Sequence, residues 1–282
     1  MQLYYYTKLQ YGLASVRDKR IKISLYDSLN DPFDFLGVAT DSKDQRKELK
    51  AIRDEISAKS GIICLSETWK EPLMWGHYAE AHKGVCLGFE VRAGHYEQIK
   101  YRAERPRLAD FGKTSIHELT DEDKAQIAFR KFNHWSYERE WRRVVDLEPA
   151  DFVDGNHYLR FDGSMVLKYI LFGSRAKISS EQIKRIASAN PNVKLAITSP
   201  ANTAFDIVID KFKTEESVPE DNRVLQLPVP DRLEFEHAIE KMIDSSIQSV
   251  MTNFLRIPRI TPEDIDFTGV RRRKKRPVKK SP

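Results

Sequence analysis

Short apolar runs recur along the first 210 residues, and charged or polar segments separate them. Such runs are typical of strands, whereas longer segments with apolar residues three and four positions apart are typical of helices. The pattern predicts helices over residues 9–16, 43–59, 72–82, 180–189 and from 121 to about 135. It predicts strands over residues 3–6, 21–24, 62–65, 85–91, 166–172, 193–198 and 205–209. Strands interleaved with helices in this way predict an α+β fold with a mixed, mainly antiparallel sheet core, flanking helices and a C-terminal helical extension.

Residue types at the predicted helix ends refine these boundaries. Thr120 and Ser179 each open a predicted helix with a capping box. Gly61 follows the helix over 43–59 and is predicted to be its C-terminal cap. Residues 148–163 are polar and are predicted to form a loop.

The chain changes character after residue 212. Residues 213–232 are rich in Pro, Asp and Glu, which predicts a linker or an extended strap. Residues 233–255 follow as an amphipathic helix that either docks on the core or pairs with a second copy of the chain. The predicted division is a core domain over 1–212, a linker plus helix over 213–268, and a disordered basic tail over 269–282.

The net charge of +5 arises from the C-terminal tail. Eight of the 47 Lys and Arg residues lie in residues 271–280, so the preceding chain has a slight excess of acidic side chains. A run of like charges with few apolar neighbours does not fold alone. It can bind phosphate backbones or serve only for solubility. The residues that would contact nucleic acid are Arg271, Arg272, Arg273, Lys274, Lys275 and Arg276.

Cysteine usage and the lack of long apolar runs predict a cytoplasmic protein. Cys64 and Cys86 each lie inside an apolar run, which predicts buried, reduced thiols. The first residues lack the basic and apolar regions of a signal peptide, and no apolar run reaches the ~18 residues that a membrane span needs. We therefore expect no membrane partner.

Residues 131–143 combine charge with aromatic rings. Nine consecutive residues within this stretch contain two glutamates, three aromatic residues and three arginines. If the chain is extended from Ser136, then Glu138, Glu140 and Arg142 lie on one face, because side chains alternate along a strand. Two carboxylates beside a fixed cation can build a site. An edge strand with solvated ion pairs would show the same spacing.

Other polar residues follow the predicted strands, where functional side chains commonly lie. The sequence contains no phosphate-binding glycine loop, HExxH, GxSxG or CxxC motif. His77 and His82 are five residues apart, which misses the spacing of a helical metal pair. A structural role for His77 therefore competes with a His–Tyr pair at a pocket rim. The candidate residues at strand ends are Tyr5, Thr7, Asn30, Asp31, Ser66, Glu67, His77 and Tyr78.

Several segments together resemble a known family over about residues 3–210. They are an aromatic opening strand, Asn30-Asp31-Pro32-Phe33-Asp34, Cys64-Leu65-Ser66-Glu67, Met74-Trp75-Gly76-His77-Tyr78-Ala79, His82-Lys83-Gly84-Val85-Cys86, Lys131-Phe132-Asn133-His134-Trp135 and Glu138-Arg139-Glu140-Trp141-Arg142. In order and spacing they resemble the bacterial family called domain of unknown function 2971. That family has no settled activity, and the resemblance implies a setting of mobile elements and defence against phage.

More remotely, the opening strand, helix and strand are similar in outline to the ADP-ribosyltransferase superfamily, including its DNA-modifying toxins. The resemblance implies an enzyme that transfers ADP-ribose from NAD to nucleic acid or protein. A carboxylate at the ribose stabilises the oxocarbenium charge that develops in such a reaction. Glu140 is the first candidate for this role and Glu138 the second, with Arg142 orienting Glu140. The superfamily's usual early histidine or arginine is absent. The residues expected to bind NAD are Tyr5, Thr7, Ser66, Trp75, His77 and Tyr78.

The alternative is a protein directed at nucleic acid without NAD chemistry. As a metal-dependent nuclease it would hold Mg²⁺ with Asp31, Asp34, Glu138 and Glu140, and Lys168 would neutralise a phosphate. As a binding module it would need only the basic tail and some exposed aromatic residues. Convergence of the candidate residues on one cavity would favour an enzyme.

Overall fold

The computed structural model describes residues 1–34 and 37–227. Its helices are α1 Leu9–Asp18, α2 Lys43–Lys59, α3 Pro72–His77, α4 Asp121–Ala128, α5 Ser180–Ala189 and α6 Lys211–Ser217. Its strands are β1 Gln2–Thr7, β2 Arg20–Lys22, β3 Ser60–Ser66, β4 Val85–Val91, β5 Glu97–Gln98, β6 Lys100–Arg102, β7 Arg130–Phe132, β8 Glu140–Asp146, β9 Asp151–Val153, β10 Asn156–Arg160, β11 Met165–Phe172, β12 Lys194–Pro200 and β13 Ile207–Ile209.

One eight-stranded sheet forms the centre of the fold, in the order β13-β12-β11-β4-β1-β3-β8-β5. All its neighbouring strands are antiparallel except β11 and β12. A three-stranded sheet, β2-β10-β9, and a parallel ribbon of β6 and β7 accompany it. The predicted α+β fold with a mixed, mainly antiparallel sheet is confirmed.

The large sheet opens between β1 and β3. β1 pairs with β4 at all six of its residues, but it pairs with β3 only where Tyr4 faces Ser66. Away from that position the two strands are not paired, and a cavity lies between them. Tyr5 and Tyr6 line one side of this cavity and Cys64 lines the other. The split therefore exposes side chains of two central strands to a ligand.

Two helices are shorter than predicted. α3 ends at His77, and Glu80, Ala81 and His82 follow with φ angles of 51°, 52° and 67°, which are outside the helical region. α4 ends at Ala128, because the next residues leave the helix and pair with β6 as strand β7. Strand β7 and the start of a 3-10 helix over Asn133–Glu138 thus replace the last part of the predicted helix.

Residues 148–163 form a hairpin, and the predicted loop is wrong. Asp154 and Gly155 connect β9 to β10 with φ angles of 49° and 75°. A two-residue Asp-Gly connection with both φ angles positive is the type I′ turn that matches strand twist. The Asp-Gly dipeptide was therefore the available sequence signal for this hairpin.

Gly61 lies inside β3 and does not cap α2 as predicted. The cap is Ser60, in an extended conformation. A Cβ on Gly61 would lie 2.5 Å from Cγ2 of Ile23 and 2.8 Å from the carbonyl oxygen of Ser24. The glycine therefore permits the close approach in which Ser24 bridges to Ile62.

The segment predicted as a linker begins inside α6. The Thr214 hydroxyl accepts a hydrogen bond from the N–H of Ile197 in β12 at 3.0 Å, and the N–H of Val224 donates to the carbonyl of Leu195 at 3.2 Å.

None of the helices in the described ranges is long and apolar enough to span a bilayer. The predicted helix over 233–255 and the basic tail over 269–282 lie outside the described residues.

Candidate functional site

The two glutamates of the charged stretch reach the site from different backbone conformations. Glu138 ends a 3-10 helix over Asn133–Glu138, Arg139 is left-handed with φ 44°, and β8 begins at Glu140. The chain is therefore not extended from Ser136, and the strand starts at Glu140. The Ser66 hydroxyl donates to the Glu138 carbonyl at 2.7 Å, which ties this turn to the end of β3.

Arg142 lies at the centre of a buried group of charges, and its side chain is 2% exposed. Its Nε donates to Oε1 of Glu140 at 2.7 Å, and its Nη2 donates to Oε2 at 3.0 Å. On the other side its Nη1 donates to Oδ1 of Asp34 at 2.7 Å. Such two-pronged pairing suits the planar guanidinium. Because β8 lies between β3 and β5 and these ions are buried, the alternative of an edge strand with solvated ion pairs is wrong.

Lys131 is the second cation of the group, and its side chain is 7% exposed. Its Nζ lies 2.5 Å from Oε2 of Glu138, 3.1 Å from Oε2 of Glu140 and 3.6 Å from Oδ2 of Asp34. Three carboxylates thus share two cations, which leaves one negative charge in excess when all are ionised. We call Asp34, Lys131, Glu138, Glu140 and Arg142 the charge cluster.

The two glutamates of the charge cluster have pKa values displaced in opposite directions. Burial raises the pKa of the Glu138 carboxyl above its ordinary value, and the nearby Glu140 adds to this while Lys131 opposes it. Burial also acts against ionisation of Glu140, but the charges of Arg142 and Lys131 outweigh it and hold the pKa of that carboxyl well below its ordinary value. Neighbouring carboxyl groups with divergent pKa values are typical of acid–base pairs.

Glu138 and Glu140 have different hydrogen-bond partners in the wall of the cavity. The hydroxyl of Tyr78, a half-buried residue, donates to Oε1 of Glu138. Glu140 instead hydrogen-bonds to the Cys64 thiol, and its N–H donates to the Tyr101 hydroxyl at 2.8 Å. Burial raises the pKa of Cys64, as does the charge of Glu140, which keeps the thiol protonated.

The cavity between β1 and β3 has a volume of about 230 Å³, and the charge cluster forms part of its wall. Six of the nine residues predicted to bind or react line this cavity. They are Tyr5, Ser66, Tyr78, Glu138, Glu140 and Arg142.

The other three predicted residues lie elsewhere. Trp75 is fully buried, and its indole N–H donates to the Trp69 carbonyl at 2.7 Å, so its ring belongs to the core. His77 is exposed, with Nδ1 3.0 Å from the Tyr137 hydroxyl. Thr7 lines a neighbouring cavity of about 240 Å³.

This second cavity adjoins the first through shared residues. Tyr5 and Lys22 line both. The second cavity also contains Tyr158, whose ring centroid lies 4.2 Å from Cζ of Arg20. A ligand with two ring systems joined by an anionic group would match this arrangement of aromatic and cationic residues.

Several residues of the site have no predicted role in NAD chemistry. The sequence predicts Asp34 only as a metal ligand, and Asp34 is 108 residues from its partner Arg142. No role is predicted for Lys131, Cys64, Tyr101 or Lys22. Lys131 lies in the charged stretch itself, so its proximity to Glu138 in the sequence is a signal for this contact. No local signal connects Asp34 to Arg142.

The carboxylates proposed for Mg²⁺ have other partners. Asp34 and Glu140 bind Arg142, and Asp31 accepts the N–H of Phe33 at 2.9 Å. Lys168 pairs with Glu90 at 2.9 Å on the surface. In the described part of the chain, no group of three or more His, Cys, Asp or Glu side chains is arranged to hold a metal ion.

Comparison with family models relates the central part of the chain to one family. Residues 74–143 match the model described as protein of unknown function (DUF2971). The matched segment includes Tyr78, Lys131, Glu138, Glu140 and Arg142. Comparisons with curated proteins and with solved structures gave no match.

Proposed function

We propose that this protein is an enzyme that transfers ADP-ribose from NAD to an acceptor. The observation that carries the proposal is the pair of buried glutamates, with pKa values displaced in opposite directions, on the wall of the cavity between β1 and β3. Such a pair supplies a permanent negative charge and a group that exchanges a proton, side by side.

In this proposal Glu140 stabilises the transition state. Its low pKa keeps it ionised, and its two hydrogen bonds from Arg142 fix its orientation. Cleavage of the nicotinamide–ribose bond develops positive charge on the ribose, and a preorganised carboxylate in a buried site stabilises that charge. Nicotinamide leaves as a neutral molecule with the electrons of the broken bond.

Glu138 accepts the proton of the incoming acceptor. Its raised pKa brings it closer to the pH at which a carboxyl group exchanges protons efficiently. The acceptor oxygen or nitrogen forms the new bond to the ribose carbon, and the proton that it loses passes to Glu138. Tyr78 and Lys131 hold this carboxyl in the wall of the cavity.

The two adjoining cavities support NAD as the donor. Tyrosine rings and an excess negative charge suit the cationic nicotinamide ring in the first cavity. Lys22, which lines both cavities, suits the diphosphate, and Tyr158 in the second cavity suits the adenine ring. Each cavity alone, at about 230 and about 240 Å³, is smaller than the pockets that hold ligands of this size. The proposal therefore places the nicotinamide ring in the first cavity and the adenine ring in the second.

The test is release of nicotinamide from labelled NAD by the full chain, with nucleic acid and protein mixtures supplied as acceptors. We expect Glu140→Gln to lower the rate by about 10²–10³, which is the typical loss of one electrostatic stabilising group. Glu90→Gln is the matched control, because Glu90 is an exposed glutamate whose partner is Lys168. Unchanged turnover in Glu140→Gln would remove this residue from the mechanism, and no turnover in the unmodified protein would remove NAD as the donor.

The nuclease alternative has less support, because Arg142 and Lys131 already pair with three of the carboxylates that it requires. Nucleic-acid binding by the basic tail and a role in phage defence stay predictions. The same incubation with Mg²⁺ and labelled single-stranded or duplex nucleic acid tests for chain cleavage.

A further inference from the structure

The ribbon of β6 and β7 has two faces of different character. Its inner face carries Tyr101, which accepts the N–H of Glu140, and Lys131, which binds the carboxylates of the charge cluster. Because side chains alternate along a strand, the residues next to these two lie on the outer face. The outer residues are Lys100, Arg102, Arg130 and Phe132.

A third cavity, of about 260 Å³, lies against this outer face. Arg102, Arg105 and Arg130 line it, and Lys131 lines both this cavity and the one at the charge cluster. Among its described lining residues Glu104 is the one acidic side chain. The cavity is therefore positively charged and adjoins the site in which we place the chemistry.

The arginines of the third cavity are available to an anionic ligand. Arg102 and Arg105 donate to backbone carbonyls, and Arg130 lies over the ring of Phe111 with Cζ 5.3 Å from its centroid. None of the three forms an ion pair with a carboxylate of the described chain. Their charge is thus not neutralised within the described residues.

Exposed aromatic rings accompany these arginines. Phe132 is 44% exposed, and its ring centroid lies 4.4 Å from that of His134. Phe33 is 61% exposed and lies below the guanidinium of Arg105, at 5.3 Å. Arginines with exposed rings suit a single-stranded nucleic acid, because unstacked bases pack on the rings while phosphates bind the cations. An acidic peptide would need the arginines but not the rings.

We infer that the outer face of the β6–β7 ribbon binds single-stranded nucleic acid and presents one of its nucleotides to the charge cluster as the ADP-ribose acceptor. The acceptor role rests on the proposed function, whereas the binding does not. Lys131 connects the two sites, since its backbone belongs to the ribbon and its ammonium group binds Glu138 and Glu140.

The first test is photo-crosslinking of the full chain, without NAD, to a short oligothymidylate that carries 4-thiothymidine. Peptide mapping by mass spectrometry then locates the crosslinks, and we expect them at Phe132 or Phe33. Crosslinks confined to residues 271–280 would overturn the inference, because the tail alone would then be the anchor. Displacement of the oligonucleotide from Phe132 by excess ADP would also overturn it, because the surface would then belong to the donor.

Variants test the same inference through affinity. We expect Phe132→Ala to weaken oligonucleotide binding by about five- to 150-fold, the typical effect of losing one stacked base. The double variant Arg102→Gln with Arg130→Gln should reduce the slope of log affinity against log salt by about 1.4, because two phosphate contacts are lost. Arg185→Gln is the matched control, since Arg185 is exposed on α5 and lines none of the three cavities.

Each remaining outcome also decides the question. Unchanged affinity in both the Phe132 and the arginine variants would show that the outer face of the β6–β7 ribbon does not bind the oligonucleotide. Full competition by polyglutamate, with no dependence on Phe132, would assign the arginines to an acidic peptide. Because NAD is absent from these measurements, they can succeed or fail independently of the nicotinamide-release assay.

Discussion

Helix α2 and the charge cluster contain the same kinds of charged residue in very different surroundings. In α2 the pairs Lys47–Asp44, Lys50–Asp54 and Lys59–Glu55 join residues one helical turn apart, and every partner is at least 31% exposed. In the charge cluster no side chain is more than 7% exposed, and one pair joins residues 108 positions apart. Local pairing in water and distant pairing in the interior are thus both present in one chain.

The difference shows which charged residues point to function. An exposed pair on a helix contributes only ~0.3–0.5 kcal/mol, so a charged helix face is an ordinary way to meet water. Removing several charges from water has a large desolvation cost, which must be offset by close pairing and hydrogen bonds among the buried groups. Arrangements that shift pKa values in this way are concentrated at functional sites.

The largest expected effect is the difference in stability lost when a cation is removed from the charge cluster or from α2. Arg142→Gln should lower the free energy of unfolding by about 3–5 kcal/mol, because Asp34 and Glu140 would stay buried without their cation. Lys50→Gln on α2 should lower it by less than about 0.5 kcal/mol, since both members of that pair are exposed to water. Denaturant unfolding of both variants at neutral pH measures the two losses.

Arg142→Lys provides a further control for this prediction. It keeps the positive charge but loses the planar fork that binds Glu140 and Asp34 together, so we expect an intermediate loss of stability. Similar small losses in the Arg142 and Lys50 variants would contradict the comparison, because the cluster would then behave like a surface network.

The sequence predicts the local parts of this molecule well. The strand Val85–Val91 lies in the centre of the sheet, so its first five residues are buried on both faces and contain no charged side chain. Helix α5 is recognisable from its capping box at Ser179. Glu140 and Arg142 share a face of β8, as the two-residue period predicts.

Long-range partners explain what the sequence does not predict. Asp34 lies 108 residues before Arg142, and no local pattern in the sequence indicates that the two residues bind each other. The split between β1 and β3 depends on which strands pair and over what length, which periodicity does not determine. The Asp154-Gly155 hairpin is a different case, because an Asp-Gly dipeptide is itself a local signal for a two-residue turn.

A smaller effect concerns pH. The folded-state pKa of Glu140 lies below its unfolded value of about 4.3, so its contribution to stability is complete above that pH and is lost as pH falls through the folded pKa. Glu138 has the opposite sign, because its raised pKa makes its contribution complete below about pH 4.3 and lost as pH rises through the folded pKa. In a plot of the free energy of unfolding against pH, we therefore expect Glu140→Gln to reduce the loss of stability toward low pH. Glu138→Gln should reduce the loss of stability toward high pH. Unfolding free energies between about pH 3 and 8 test this, and identical curves for the two variants would contradict the opposite pKa displacements.

The smallest expected effect is the salt dependence of the coupling energy within one ion pair from each region. A double-mutant cycle on Lys50 and Asp54 should give a coupling of about 0.3–0.5 kcal/mol that approaches zero near 1 M salt, where the Debye length is only about 3 Å. The corresponding cycle on Lys131 and Glu138, which are 7% and 4% exposed, should keep most of its coupling, because buried pairs are screened much less. Unfolding of the single and double variants at about 0.05 M and about 1 M salt measures both cycles. Equal salt sensitivity would mean that water and ions reach the charge cluster freely. The pKa displacement of Glu138, and with it the proton-accepting role proposed for that residue, would then lose its physical basis.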